Sequence, residues 1–176
     1  MSKAALTITA PKRLPSIDRL NELLTYDPES GILRWRVTRG NTARAGAIAG
    51  SLTARGYRGI AIDCRRFWAH RIAFKMGAGR DPKGGIDHVN GRKYDNRLVN
   101  LREATRQQNA ANSKKRKHNT SGFKGVYWIE RTRRWRASIH KDRKHIHIGY
   151  FDKPEEAHAA YCKAAQRHFG KFARIK

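Results

Sequence analysis

The sequence of 176 residues predicts an α+β protein built from two small modules. Three observations lead there. Residues 122–151 hold three short runs of strand character, and an alanine-rich helical stripe follows them. Residues 16–80 alternate short helical and strand patterns with turn signals between them. Between these regions lies a stretch rich in Gly, Asn and Asp, then a basic run without a single apolar side chain.

The first module opens with "SIDRLNELLTYDPESGILRW". Ile17, Leu20, Leu23 and Leu24 share one face of a short helix, and Ser16 is placed to accept a bond from a free N–H of its first turn. "YDPESG" reads as a turn and "ILRWRV" alternates as a strand. "GYRGIAIDCRRFWAHRIAFKMG" reads as a strand, a turn at "DCRR", a second strand and a helix that begins near His70. "VNGRKYDN" is loop-like, and "NLREATRQQNAAN" reads as a short helix with Leu101, Ala104 and Gln108 on one side. "SKKRKHNTSG" is the expected linker, solvated and touching phosphate; a nuclear-localisation tract is the lesser alternative. These boundaries give a first module over residues 1–112, divided at about residue 67 into a strand-rich extension and a core of about 68–112. The linker covers 113–121 and the second module 122–176.

In the second module, "FKGVYWIE", "RWRASIH" and "HIHIGYF" are the strand runs. Trp135, Ala137 and Ile139 alternate with Arg136, Ser138 and His140, and Ile146 and Ile148 alternate with His145 and His147. The two-residue period of a strand sends these sets to opposite faces. In "KPEEAHAAYCKAAQRHFG", Pro154 marks a helix start, and Ala157, Ala160, Tyr161, Ala164 and Ala165 form a narrow stripe that lets the helix lie close on the apolar face. The other face is left basic and open, a shape that suits reading a DNA groove.

Charge narrows the partners. There are 39 Lys and Arg against 14 Asp and Glu, a net of +25. Self-repulsion on this scale favours a polyanionic partner, and nucleic acid is the obvious one because phosphate contacts release counterions. No apolar run is long enough to span a bilayer, no secretory signal core is present and no basic amphipathic helix with a large apolar face stands out, so a membrane partner is not expected. Cys64 and Cys162 form no Cys-x-x-Cys pair and read as free thiols in a reducing compartment.

"GIDHVNGRKYDNRLVNLREATRQQNAAN" carries the candidate chemistry. Cleaving a phosphodiester needs a base to activate water, a group to orient that base and a divalent ion on the scissile phosphate. Asp and Asn oxygens are hard donors that suit Mg²⁺ or Mn²⁺, so Asp87 and Asn109 can share an ion if this region folds back on the following helix. His88 can then face the water, with Asn100 fixing its tautomer. The same residue types also serve ordinary capping and turns, and spacing alone leaves both readings open.

The stretch resembles the HNH endonucleases, above all the phage and intron-encoded homing type, in its Asp-His, its "DNR…NLR" loop and the helix that follows. Upstream, "LLTYDPESGILRWR", "GYRGIAID" and "WAHRIAFKMG" look like the N-terminal part of such proteins, so the likeness covers about residues 16–112. It implies a ββα-metal module in which His88 is the general base, Asp87 and Asn109 are ligands of one Mg²⁺ or Mn²⁺, and Asn100 positions His88. Asn109 stands where other members carry His, the H-N-N variant, which argues against zinc. Arg92, Lys93 and Arg97 flank this loop as expected phosphate contacts. His70 is expected to support the fold or touch a phosphate; His158 and His168 are expected as surface or packing residues.

From Gly122 on, "GVYWIERTRRWRASI", "IGYF" and "EEAHAAYCKAA" resemble the Apetala-two (ethylene-response-factor) DNA-binding domain, a three-stranded antiparallel sheet on one helix. The likeness implies double-stranded DNA as partner, read by Lys124, Tyr127, Ile129, Arg136, Ser138, His140, His145 and His147, with Trp128 and Trp135 in the core. Several of these positions are Arg or Trp in the plant proteins, so the plant target sequence is not implied. The expected protein is a metal-dependent DNA endonuclease of the homing type, a monomer with a dimer as the alternative. Its rivals are a DNA-binding regulator with an inactive HNH region and an RNA-binding basic protein.

Overall fold

In the computed structural model, which describes residues 13–116 and 118–175, Ser16 Oγ accepts from Arg19 N at 3.1 Å and starts α1 (Ile17–Leu23). Residues 1–12 of the expected extension, Lys117 of the expected linker and Lys176 lie outside the described residues. Two compact units divide the chain, residues 1–103 and 104–176. The architecture is α+β, with small antiparallel sheets and four α-helices among the described residues.

In the first unit, β1 (Leu24–Asp27) and β2 (Ile32–Trp35) form a hairpin, with Asp27 opposite Ile32 and Leu24 opposite Trp35. Its turn ends on Gly31, whose φ of 73° is cheap only for glycine. β3 (Ser51–Leu52), β4 (Arg58–Ile62) and β5 (Arg65–Trp68) make a three-stranded sheet in that order. The turn expected at "DCRR" is a two-residue loop with Asp63 and Cys64 both at positive φ, the turn whose twist matches a hairpin. The helix expected near His70 is α2 (Ala69–Ala78), closed by Gly79 in the left-handed conformation. Leu20, Leu24, Leu33, Trp35, Ile60, Ile62, Phe67 and Ile72 form the core, and Ile86 and Leu101 join it from β6 (Gly85–His88) and β7 (Leu101–Ala104), which pair with each other.

The structure corrects the sequence reading at β7. The apolar spacing of "NLREATRQQNAAN" predicts one helix, but a 3₁₀ turn over Leu98–Asn100 is followed by strand, and α3 (Arg106–Ala111) begins only after Thr105. Thr105 Oγ1 accepts from Gln108 N while Gln108 Oε1 accepts from Thr105 N. This reciprocal cap holds Thr105 extended and leaves Leu101–Ala104 to pair with β6.

The second unit contains α3 and a sheet of β8 (Val126–Ile129), β9 (Arg134–Lys141) and β10 (Lys144–Phe151), in the order β10-β9-β8. Pro154 opens α4 (Pro154–Phe169), and Ala157, Tyr161 and Ala165 meet Val126, Ala137 and Ile139 in a second core. At Gly125 the Tyr161 ring occupies the place a Cβ would take. Ala111 at the end of α3 accepts through its carbonyl from Lys124 Nζ at 2.6 Å and from Arg174 N at 3.3 Å. Trp128 departs from its expected place in the core. It is 41% exposed in β8, where it faces Trp135 across the strands and donates its indole N–H to Glu130.

Candidate functional site

β6 delivers Asp87 and His88 consecutively, and both are buried, at 4% and 5% exposure. They face the loop 89–100, which polar side chains wire into one shape. Asn90 and Arg97 both donate to the Asp95 carboxylate, at 2.7 Å each to Oδ2. Arg97 holds that carboxylate down to about 2, against the opposing effect of burial. Asn100 binds this loop from within: its Oδ1 accepts from Asn90 N at 2.9 Å, and its Nδ2 donates to Asp95 O at 2.7 Å. The N-terminal hairpin braces the loop as well. Tyr26 donates its hydroxyl to Asn96 O at 2.8 Å, and Gly31 lies so close to Asn96 and Arg97 that a Cβ there would overlap their backbone.

His88 Nε2 is 3.2 Å from Asn96 Oδ1. An amide oxygen only accepts, so Nε2 carries the proton and the neutral ring keeps its basic lone pair on Nδ1. The amide expected beside His88 is Asn100; the one that reaches the ring is Asn96, while Asn100 holds the loop that presents it. Burial pushes the His88 pKa below its ordinary 6.5, opposed by the Asn96 bond and by Asp87 and Asp95. Arg102 donates from Nε and Nη2 to Asp87 Oδ2, at 2.9 and 2.7 Å, and so orients that carboxylate. Asn109 lies on α3 in the second unit, exposed, with its N–H on Thr105 O.

Sequence reasoning misses the aromatic wall. His70 at the start of α2 meets the His88 ring edge-on at 5.3 Å, and Tyr57 lies 5.4 Å from His70 and 6.2 Å from His88. Burial drives His70 down to about 3, with His88 and Arg71 adding to it, so this ring stays neutral. Of the flanking cations, Lys93 is placed over Tyr57 and donates to Arg55 O, Arg97 is committed to Asp95, and Arg92 is exposed. Among the described residues no three His, Cys, Asp or Glu side chains converge on one point.

In the second unit the sheet face opposite α4 carries rows of polar and aromatic side chains. Tyr127, Arg136 and Tyr150 are in register across three strands, Ser138 is opposite His147, and His140 is opposite His145. Tyr150 is not singled out by the sequence; a bulge between His147 and Gly149 turns it to this face, against the His147 ring at 4.7 Å. Ser138 is 5% exposed, and Ser138 Oγ and Arg136 Nε are buried without a hydrogen-bond partner among the described residues. Lys124, expected here, instead donates its ammonium to Ala111 O and Ser113 O. Ile129, at the end of β8, is half-buried.

The chain is similar to known proteins over both units. The family model for HNH endonuclease matches residues 67–111, and that for AP2 domain matches residues 121–170. "Protein 3.8" of Escherichia phage T7 is 33% identical over 108 residues, which covers 61% of this chain and 88% of that protein. No solved structure matches. No helix among the described residues is long and apolar enough to cross a membrane.

Proposed function

The chain belongs to the HNH endonuclease family, with an AP2 domain after the HNH segment, and we propose that it is a metal-dependent DNA endonuclease of the homing type. The observation that carries this reading is His88: a buried, neutral imidazole at the end of β6, beside Asp87, with its proton placed on Nε2 by Asn96. In that state Nδ1 takes a proton from the attacking water. Asn100 acts one step further out, as a positioning residue that holds the loop carrying Asn96. HNH nucleases commonly use divalent ions, and the hard oxygens of Asp87 and Asn109 are the proposed ligands of one Mg²⁺ or Mn²⁺, which would stabilise charge on the scissile phosphate.

Double-stranded DNA is the proposed substrate, and Arg92, Lys93 and Arg97 are proposed to meet its phosphates near the cut. Tyr127, Arg136, Ser138, His140, His145 and His147 are proposed to set affinity and register from the open sheet face, joined by Tyr150. Lys124 is left out of this set because its ammonium, on Ala111 O and Ser113 O, lines a cavity with Lys114, Lys115 and Arg174 instead of standing in the sheet rows. The test is incubation of the full chain with supercoiled plasmid in Mg²⁺ or Mn²⁺ and in EDTA. Nicked or linear product with either ion and none in EDTA is expected; full activity in EDTA would rule out the metal-assisted reading.

A further inference from the structure

A cavity of about 430 Å³ in the second unit is lined by Lys114, Lys115, Lys124, Arg174 and His158, with Gly122, Phe123 and Ile175 completing its wall. We propose that it is a second nucleic-acid contact, a site for one phosphate group with its attached sugar, distinct from the open sheet face.

Four full cations line the space, and among the described residues that line it there is no acidic side chain. Backbone carbonyls rather than acids hold two of them in place. Lys124 Nζ donates to Ala111 O at 2.6 Å and Ser113 O at 2.8 Å, and Lys115 Nζ donates to Gly122 O at 2.9 Å. An ammonium has three N–H donors, so each keeps at least one for a ligand. A carbonyl fixes the position of a cation without cancelling its charge, so the site is preorganised and electrostatically unsatisfied. The side chains of Lys114 and Arg174 make no hydrogen bond or ion pair among the described residues. Burial, and to a lesser degree the nearby Arg174, pushes Lys124 down to about 8, and a bound anion would oppose both effects. Phe123 stacks on His158 of α4 at 4.7 Å and gives the cavity an aromatic wall for the sugar or base beyond the phosphate. The volume is that of a small-ligand site rather than of a surface dimple. This site stands whether or not the first unit cuts DNA.

The test uses the full chain. Inorganic phosphate and deoxyadenosine monophosphate are titrated while amide resonances of Gly122, Phe123 and His158 are followed, and duplex affinity is measured against salt. Wild type is compared with the double variant Lys114→Gln, Arg174→Gln, which removes two cations that hold no structural bond. Both anions should shift the cavity resonances, with proton uptake near pH 8 as Lys124 is recharged, and the double variant should bind them at least about tenfold more weakly. If the phosphate comes from DNA, the variant also flattens the salt dependence of duplex binding by about one to two in slope. An unchanged slope with lost anion binding assigns the site to a free phosphate ester, the same chemistry from another source. No shift at about 10 mM anion, or wild-type anion affinity in the double variant, would overturn the proposal.

Discussion

Asn96 decides which nitrogen of His88 is basic, so small changes there should read out directly in the rate. Asn96→Ala leaves the ring unanchored and should lower single-turnover cleavage by about 10²-fold, the scale of a slightly misplaced reacting group. Asn96→Asp sets a carboxylate beside the ring and should raise the His88 pKa. Because burial lowers that pKa in the wild type, His88 stays neutral and competent until the pH falls below the ordinary 6.5. The acid limb of the rate should therefore move to higher pH in Asn96→Asp, and a profile unmoved between about pH 5 and 8 would contradict the assignment. His70 gives a stability signature. Its pKa is depressed in the fold, so its neutral form contributes stability that is complete above 6.5 and lost as the pH falls towards about 3. Urea midpoints should drop with pH below 6.5, and His70→Phe should flatten the part of that drop that precedes carboxylate titration.

At the scale of elements, the β1–β2 hairpin holds the 89–100 loop, and Gly31 is where the two touch. Gly31→Ala combines a φ of 73° with backbone overlap at Asn96 and Arg97, whereas Gly46→Ala has a φ of 81° and open space. Both substitutions should cost about 1 kcal/mol for the backbone conformation, and Gly31→Ala should cost about 1–3 kcal/mol more and slow cleavage. Equal unfolding free energies for the two would mean that the hairpin does not brace the loop. Local signals make several elements legible in sequence: the Ser16 cap, the "DCRR" turn, Pro154 at the start of α4 and the alternation through Arg136, Ser138 and His140. The capping box at Thr105 is equally local, but the apolar spacing around it also fits a helix, which hides β7. Other features are not local. Asn96 and His70 reach His88 only through the fold, the bulge that turns Tyr150 depends on strand pairing, and the exposure of Trp128 follows from where β8 lies in the sheet.

On the scale of the whole molecule, a net charge of +25 gives affinity for any polyanion, and the division of labour must come from the two units. Ending the chain after Asn119 removes the β8–β10 sheet and α4. Duplex affinity should fall strongly, and the slope of log K against log salt should shrink by about 0.9 for each phosphate that the shortened chain no longer neutralises. Arg136→Ala should be a milder version of the same change; unchanged affinity and site choice after truncation would reduce the likeness to the plant domain to one of fold alone. If His88 is the base of a working nuclease, wild type and His88→Ala should differ in chemistry alone on one labelled duplex, with binding and single-turnover cleavage read at saturating protein in Mg²⁺. The variant should bind as the wild type does and cut about 10²–10⁴-fold more slowly. Near-normal cutting by His88→Ala, or a wild type that binds DNA and never cuts it, would rule out His88 as the base of a nuclease.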